Sequence, residues 1–309
     1  MTKILIITLS NIGDVLLTLP SIQAVREKFP QAEISLLVGE RAKPLFDDDP
    51  RFNKVWVWRK NAGMREKWPL VLEIIGKGFN QVINFRNPVC FRNGKLHRRM
   101  MHFQKLVQKR IAGAGLIDQV DTAKSLWISE VTERKTGELL KKEGVTIDEK
   151  WMIVTPGSLN MTKRWKLDGF VELCRSLSHR NSFPILLAGD ESDRVRSQEI
   201  IKQTQSPLVF DLCGKTDLLQ LAWLIREAKL LISHDSAPLH MAGLFNTPVV
   251  AVFGPTDPLK YGPWRENSRV VRKTLFCSPC EKSLCVYHHE CMEQIEPEEI
   301  LEAVNELIS

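Results

Sequence analysis

The chain has 309 residues, 43% of them hydrophobic, and a formal net charge of +6. That length suits two domains of about 150 residues each, and no apolar run reaches the roughly 18 residues that a transmembrane helix needs. Seven cysteines in a chain this long exclude a secreted disulfide framework.

The elements alternate from the start. Lys3–Leu9 is apolar without alternation, as a buried parallel strand is. It lacks the length and cleavage site of a signal peptide, so a cytoplasmic protein is expected. Ser10 to Asp14 forms a turn, and a helix is predicted over about 14–29, kinked or restarted at Pro20. Strands follow at Ile34–Val38, Lys54–Trp58 and Gln81–Phe85, with helical patterns at about 40–47 and 66–77. Strand–helix alternation means a parallel sheet with right-handed crossovers. No Gly-x-Gly-x-x-Gly follows the first strand, so the dinucleotide fingerprint is absent there.

The charge is unevenly placed. Between Glu73 and Asp118 there is no acidic residue, whereas Lys77, Arg86, Arg92, Lys95, Arg98, Arg99, Lys105, Lys109 and Arg110 all fall in that window. Such a stretch suits an anionic partner; a solvated loop and basic helix is the plainer reading. Residues 86–98 read as a flexible basic loop. Met100–Ile111 reads as a basic amphipathic helix, fit for an anionic surface or for a core. A charged helix over Glu130–Gly144 then leads to a domain junction near residue 148.

The second half repeats the pattern. Strands are predicted at Trp151–Thr155, Phe183–Ala188, Leu208–Leu212, Leu230–Ile232, Val249–Phe253 and about 269–272. Helices are predicted at Asp168–Leu177, Arg194–Thr204, Asp217–Ala228, just past Asp235-Ser236, and Pro297–Ile308. The expected fold class is α/β, two Rossmann-like parallel-sheet domains facing each other across a cleft, with polar clusters at the carboxyl ends of the strands where ligands bind. The boundaries are 1–148 for the first domain, 149–292 for the second and 293–309 for a final helix.

Several of these clusters carry chemistry. Asp235, Ser236 and His240 lie at the start of a helix just past a strand, where unpaired N–H groups, a hydroxyl and an imidazole can cradle a phosphate or diphosphate; an ordinary capped helix is the alternative. Asp14 is either a general base or a helix N-cap, and position alone favours the cap. Lys163, in the loop after a strand, is a phosphate-neutralising point charge or a solvated lysine. Glu191 either accepts hydrogen bonds from a ribose or is a first-turn acid favoured by the helix dipole. Cys277, Cys280, Cys285 and Cys291, with His288 and His289, include donors for a tetrahedral zinc site. Their spacings do not make the paired knuckles of a zinc ribbon, and no metal is expected.

Taken together, these pieces resemble glycosyltransferase family 9, the bacterial ADP-heptose:lipopolysaccharide heptosyltransferases. The matching segments run in family order: Leu9 to Val15 with Thr18-Leu19-Pro20, Thr155 to Ser158 with Lys163-Arg164-Trp165, and Ala188 to Glu191. Asp235 to His240 with Thr247 to Val250, Phe253 to Pro258 and Cys277 to Cys291 complete the set. The resemblance implies a GT-B fold, no catalytic metal or other required cofactor, and an inverting transfer from the donor substrate ADP-heptose to the lipopolysaccharide inner core. It implies Asp14 as general base, with Lys163, His240, Ser236 and the helix N-terminus stabilising the departing diphosphate.

The same resemblance places Glu191 on the ribose, Gly214, Lys215 and Thr216 beside the base, and Thr256 and Asp257 toward the sugar. Ser158, Asp235 and Ala237 belong to the same donor site. Asn11, Gly13, Arg86, Arg92, Lys95, Arg98 and Arg99 belong to the acceptor site, where the basic window meets the lipid A precursor at the anionic inner-membrane surface. A protein peripheral to the cytoplasmic face of the inner membrane is expected, with no nucleic acid partner, and the final helix is expected to pack back on the first domain. The family usually has Gly where this chain has Ala237, and alanine tolerates positive φ poorly. Either the turn suits alanine or the cradle differs. The competing functions are a relative using another nucleotide sugar or acceptor, a non-catalytic nucleotide-sugar or lipopolysaccharide-binding protein, and a metal-dependent redox protein built on the cysteines.

Overall fold

The computed structural model describes residues 1–8, 11–85, 121–146, 150–180 and 183–308, together with the backbone of 90–92 and 95–97. The chain divides into two units, Met1–Ser129 and Glu130–Ser309.

In the first unit, β1 (Lys3–Ile7), α1 (Ile12–Lys28), β2 (Glu33–Gly39), β3 (Lys54–Trp58), α2 (Met64–Gly76) and β4 (Gln81–Asn84) follow one another. The strand order is β3-β2-β1-β4, all parallel. Ile4, Leu5 and Ile6 are buried in succession on β1, and Leu36, Leu37 and Val38 on β2, so these strands lack the alternation of a one-sided sheet. The helix expected to break at Pro20 is continuous from Ile12 to Lys28. Leu16, Leu19, Pro20 and Ile22 are buried along it, and this packing offsets the loss of one helical N–H. Residues 40–46 form 3₁₀ turns rather than an α-helix.

The sheet is not wholly parallel. β5 (Cys90–Arg92) and β6 (Lys95–His97) extend it beyond β4 as an antiparallel pair, where a loop was expected. Asn93-Gly94 separates these strands in the sequence, the dipeptide most favoured between paired strands. The basic helix expected over Met100–Ile111 lies outside the described residues.

The second unit begins with α3 (Glu130–Lys142), eighteen residues before the expected junction. Thr136 and Leu140 of α3 are buried, and Glu133 accepts a hydrogen bond from Arg226 at 2.8 Å. There follow β7 (Met152–Val154), α4 (Leu167–Arg180), β8 (Ile185–Leu187), α5 (Arg194–Thr204), β9 (Val209–Asp211) and α6 (Leu218–Glu227). Next come β10 (Leu230–His234), α7 (Ala237–Phe245), β11 (Val249–Phe253), α8 (Pro258–Tyr261), β12 (Ser268–Arg272), α9 (Glu290–Glu293) and α10 (Pro297–Ile308).

This second sheet is parallel throughout, in the order β12-β11-β10-β7-β8-β9. The chain leaves β7 toward one edge and β10 toward the other, so the crevice where a doubly wound sheet binds ligands lies between these two central strands. Ile300, Leu301 and Val304 of α10 lie in the same core as Met152, Ile232 and Val250. Its apolar face therefore packs on the second unit's own sheet.

Candidate active site

The carboxyl ends of β7 and β10 are tied by hydroxyls. Thr155 Oγ1, just past β7, donates to Ser233 Oγ at 2.7 Å, and Ser233 Oγ donates to the His234 carbonyl at 3.1 Å. Ser236 Oγ lies 3.2 Å from Ser233 Oγ and 3.3 Å from the same carbonyl. Ser236 is the N-cap of α7, yet its side chain makes no capping bond to the helix. The hydroxyl turns back to the strand, and the helix start keeps its N–H groups and positive dipole end for an anion.

Lys163 reaches this place from the loop after β7. Its Nζ donates to Asp235 Oδ2 at 2.6 Å, with the Asp235 side chain 7% exposed. A solvated lysine is thereby ruled out in favour of one fixed beside a helix N-terminus. An ammonium has three donors, and one of them goes to Asp235. His240, one turn into α7, is buried.

The residue that organises these loops is His234, which pattern reading left in a turn because it ended the strand at Ile232. β10 continues two residues further and buries His234 completely. The Trp165 N–H donates to His234 Nε2 at 3.0 Å, so that nitrogen carries no proton. Nδ1 is then the protonated nitrogen of the neutral ring, and it donates to the Gly157 carbonyl at 3.1 Å. Burial pushes the His234 pKa down to about 4, outweighing the opposing effect of the Gly157 carbonyl. One neutral imidazole thus pins both ends of the segment that carries Ser158 and Lys163.

Trp165 is held in turn by its indole N–H, which donates to the Ile295 carbonyl at 3.0 Å, and by edge-on packing against Phe170. Arg164 Nε donates to the Ser158 carbonyl at 2.8 Å.

A second missed residue is Asp193. A Cβ on Gly157 would lie 2.0 Å from the Asp193 carboxylate, and one on Gly189 would lie 2.6 Å from it. The two glycines let the ends of β7 and β8 close around this acid. Burial raises the Asp193 pKa, with Asp190 adding to the rise and Arg164, 3.5 Å away, opposing it. The signal was the Asp190 to Asp193 spacing, which forms a reciprocal capping box.

Glu191 and Gly214 are brought together. A Cβ on Gly214 would stand 2.0 Å from Glu191 Oε2, and Gly214 has φ of +71°, a conformation that glycine adopts without strain. The Glu191 side chain is 69% exposed and pairs with Arg194 at 3.2 Å. Lys215 turns elsewhere, to Glu143 just past α3 at 2.7 Å, and Thr216 is half-buried. Asp257 caps α8 by accepting the Leu259 N–H at 2.9 Å. Thr256 is buried, and its hydroxyl makes no hydrogen bond among the described residues.

In the first unit, Asn11 holds the N-cap of α1, so the cap reading of Asp14 is corrected. Asp14 is the third helical residue, and its Oδ2 accepts from the Asn11 side-chain amide at 3.1 Å. Gly13 precedes it in the same first turn at the carboxyl end of β1. Arg86, Arg98 and Arg99 lie outside the described residues, as do the side chains of Arg92 and Lys95.

A family model described as glycosyltransferase family 9 (heptosyltransferase) matches residues 78–290. The chain belongs to glycosyltransferase family 9. Among its curated relatives is lipopolysaccharide heptosyltransferase 3 of Escherichia coli, 25% identical over 82% of this chain and 83% of that one. Lipooligosaccharide heptosyltransferase 2 of Campylobacter jejuni is 26% identical over 96% and 95%. A solved family 9 glycosyltransferase from Veillonella parvula superposes with a TM-score of 0.79, at 21% identity over 99% of this chain and 97% of that one. An Escherichia coli heptosyltransferase solved with ADP gives a TM-score of 0.61 at 17% identity, over 99% and 100%. The chain has the fold of these enzymes, GT-B, and is a glycosyltransferase.

Two further points bear on this family member. Ala237 is the first residue of α7 and is absent from the positive-φ residues, so the family's usual glycine is not needed there for its backbone. Cys277, Cys280, Cys285 and Cys291 are all free thiols lining one cavity of about 320 Å³. Burial, then the neighbouring thiols of Cys285, Cys280 and Cys277, push Cys291 up to about 11. Among the described residues, no three His, Cys, Asp or Glu groups are gathered as metal ligands.

Proposed function

We propose that this glycosyltransferase moves a heptose from ADP-heptose to the inner core of a lipopolysaccharide acceptor, with inversion at the anomeric carbon. The observation that carries the donor half is Lys163, held 2.6 Å from Asp235 at the start of α7, a fixed cation beside a helix N-terminus. The heptosyltransferase names of the curated relatives and the ADP bound to a protein of the same fold support the choice of sugar and nucleotide.

In this reading Asp14 takes the proton from an acceptor hydroxyl, whose oxygen bonds to the anomeric carbon. The bond from that carbon to the β-phosphate oxygen breaks, and its electron pair leaves with ADP. Lys163, Ser236, His240 and the α7 N–H groups meet the charge that grows on the diphosphate. Glu191 holds the ribose, with Gly214 to Thr216 beside the base, and Thr256 and Asp257 serve the heptose. Asn11 and Gly13 shape the acceptor side together with Arg86, Arg92, Lys95, Arg98 and Arg99, and the enzyme works at the cytoplasmic face of the inner membrane.

Asp14→Asn tests the base. It should lower kcat by about 10²- to 10⁴-fold while ADP affinity stays at the wild-type value. Wild-type turnover in this variant would refute the assignment, and loss of ADP binding would show a structural role instead.

A further inference from the structure

α2 has two apolar faces, and among the described residues only one of them is covered. Leu70 and Ile74 pack on the cluster of Leu5, Leu37 and Trp56 beneath the helix. Met64, Trp68, Leu72 and Ile75 point away, 66%, 55%, 53% and 69% exposed. At 3.6 residues per turn these four fall within an arc of about 80°, a continuous stripe rather than scattered surface residues. None of the thirteen residues of α2 is fully buried.

The charges around the stripe have one dominant sign. Residues 54–80 hold Lys54, Arg59, Lys60, Arg65, Lys67 and Lys77 against Glu66 and Glu73. Glu73 is occupied by Lys54. On the helical projection Glu66 and Glu73 lie roughly opposite the stripe, while Arg65 borders it. Two copies of the chain pairing through this face would bring cation against cation, which disfavours self-association. An anionic bilayer satisfies both halves: apolar side chains enter the acyl boundary, a tryptophan sits at the headgroup level, and the basic rim meets lipid phosphates.

We propose that α2 docks the first unit onto an anionic membrane surface, with Met64, Trp68, Leu72 and Ile75 inserted and Lys60 and Arg65 at the headgroups. Its use rests on the lipid-linked acceptor proposed above, which such docking would keep within reach. The binding itself does not depend on that reading. This assigns the membrane contact to a helix outside the basic window of residues 77–110.

The test is co-sedimentation of the full chain with vesicles of phosphatidylglycerol and phosphatidylethanolamine, and with phosphatidylcholine vesicles, without nucleotide sugar or acceptor. Wild type should bind the anionic vesicles, less so as salt rises. Trp68→Glu/Leu72→Glu should lose at least about tenfold in affinity, with unchanged circular dichroism. Lys60→Gln/Arg65→Gln should lose about fivefold per charge on anionic vesicles only. Wild type failing to bind anionic vesicles would overturn the proposal, as would either variant binding like wild type. A wild-type dimer made monomeric by Trp68→Glu/Leu72→Glu would also overturn it, giving the stripe to self-association. Vesicle binding without heptose transfer would sink the proposed function alone, and transfer without vesicle binding would sink only the docking helix.

Discussion

Replacing His234 by leucine removes the partner of two backbone groups at once, the Trp165 N–H and the Gly157 carbonyl. Each buried group left unpaired costs about 1–3 kcal/mol, so the variant should be destabilised by about 2–6 kcal/mol at pH 8. The same geometry fixes a pH dependence. The folded pKa of about 4 lies below the ordinary 6.5, so below about pH 6.5 the unfolded chain takes up a proton that the native ring refuses. Wild-type stability therefore falls with pH through this window, by about 2 kcal/mol at pH 5 and about 3 kcal/mol at pH 4 from this group. The leucine variant lacks that loss, so the gap between the two proteins should narrow by about 2 kcal/mol from pH 8 to pH 5. Urea unfolding followed by circular dichroism at both pH values measures it. A gap that stays constant would refute the reasoning, and so would a His234 ring that titrates near 6.5 by NMR.

Lys163→Met should weaken ADP binding by about 10- to 100-fold, the worth of a charge-assisted hydrogen bond, and calorimetric titration would show it. An unchanged affinity would mean that the Lys163–Asp235 pair serves the fold and not the nucleotide. Gly214→Ala should cost about 1–2 kcal/mol through its positive φ alone and push Glu191 aside, so ADP affinity should fall along with the melting temperature. Equal melting temperatures would show that the turn relaxes.

Much of the fold was legible because its strands are buried on both faces. Val249–Phe253 and Lys54–Trp58 were read at their observed limits, and so were the helices Arg194–Thr204 and Pro297–Ile308. Glycines, capping residues and phosphate-type polar groups at strand ends located the second unit's site. Three features were not readable from local pattern. His234 looks polar in sequence, and only its pairing with Val252 of β11 and its complete burial show it to be core. The direction in which α10 packs depends on which sheet has an uncovered apolar face, which periodicity does not encode. Asp193 matters because two glycines, far apart in sequence, leave room for its carboxylate. The α2 stripe was present in the sequence, but an apolar residue there reads the same whether it faces the sheet or the solvent.

The central claim is a transfer that consumes ADP-heptose only in the presence of its acceptor. ADP release by the purified protein should be followed with ADP-heptose and heptose-deficient lipopolysaccharide, each omitted in turn. The account predicts release that requires both and is slowed about 10²- to 10⁴-fold by Asp14→Asn. Saturable ADP-heptose binding without acceptor-dependent release would contradict the proposed acceptor, and the absence of any binding would contradict the donor.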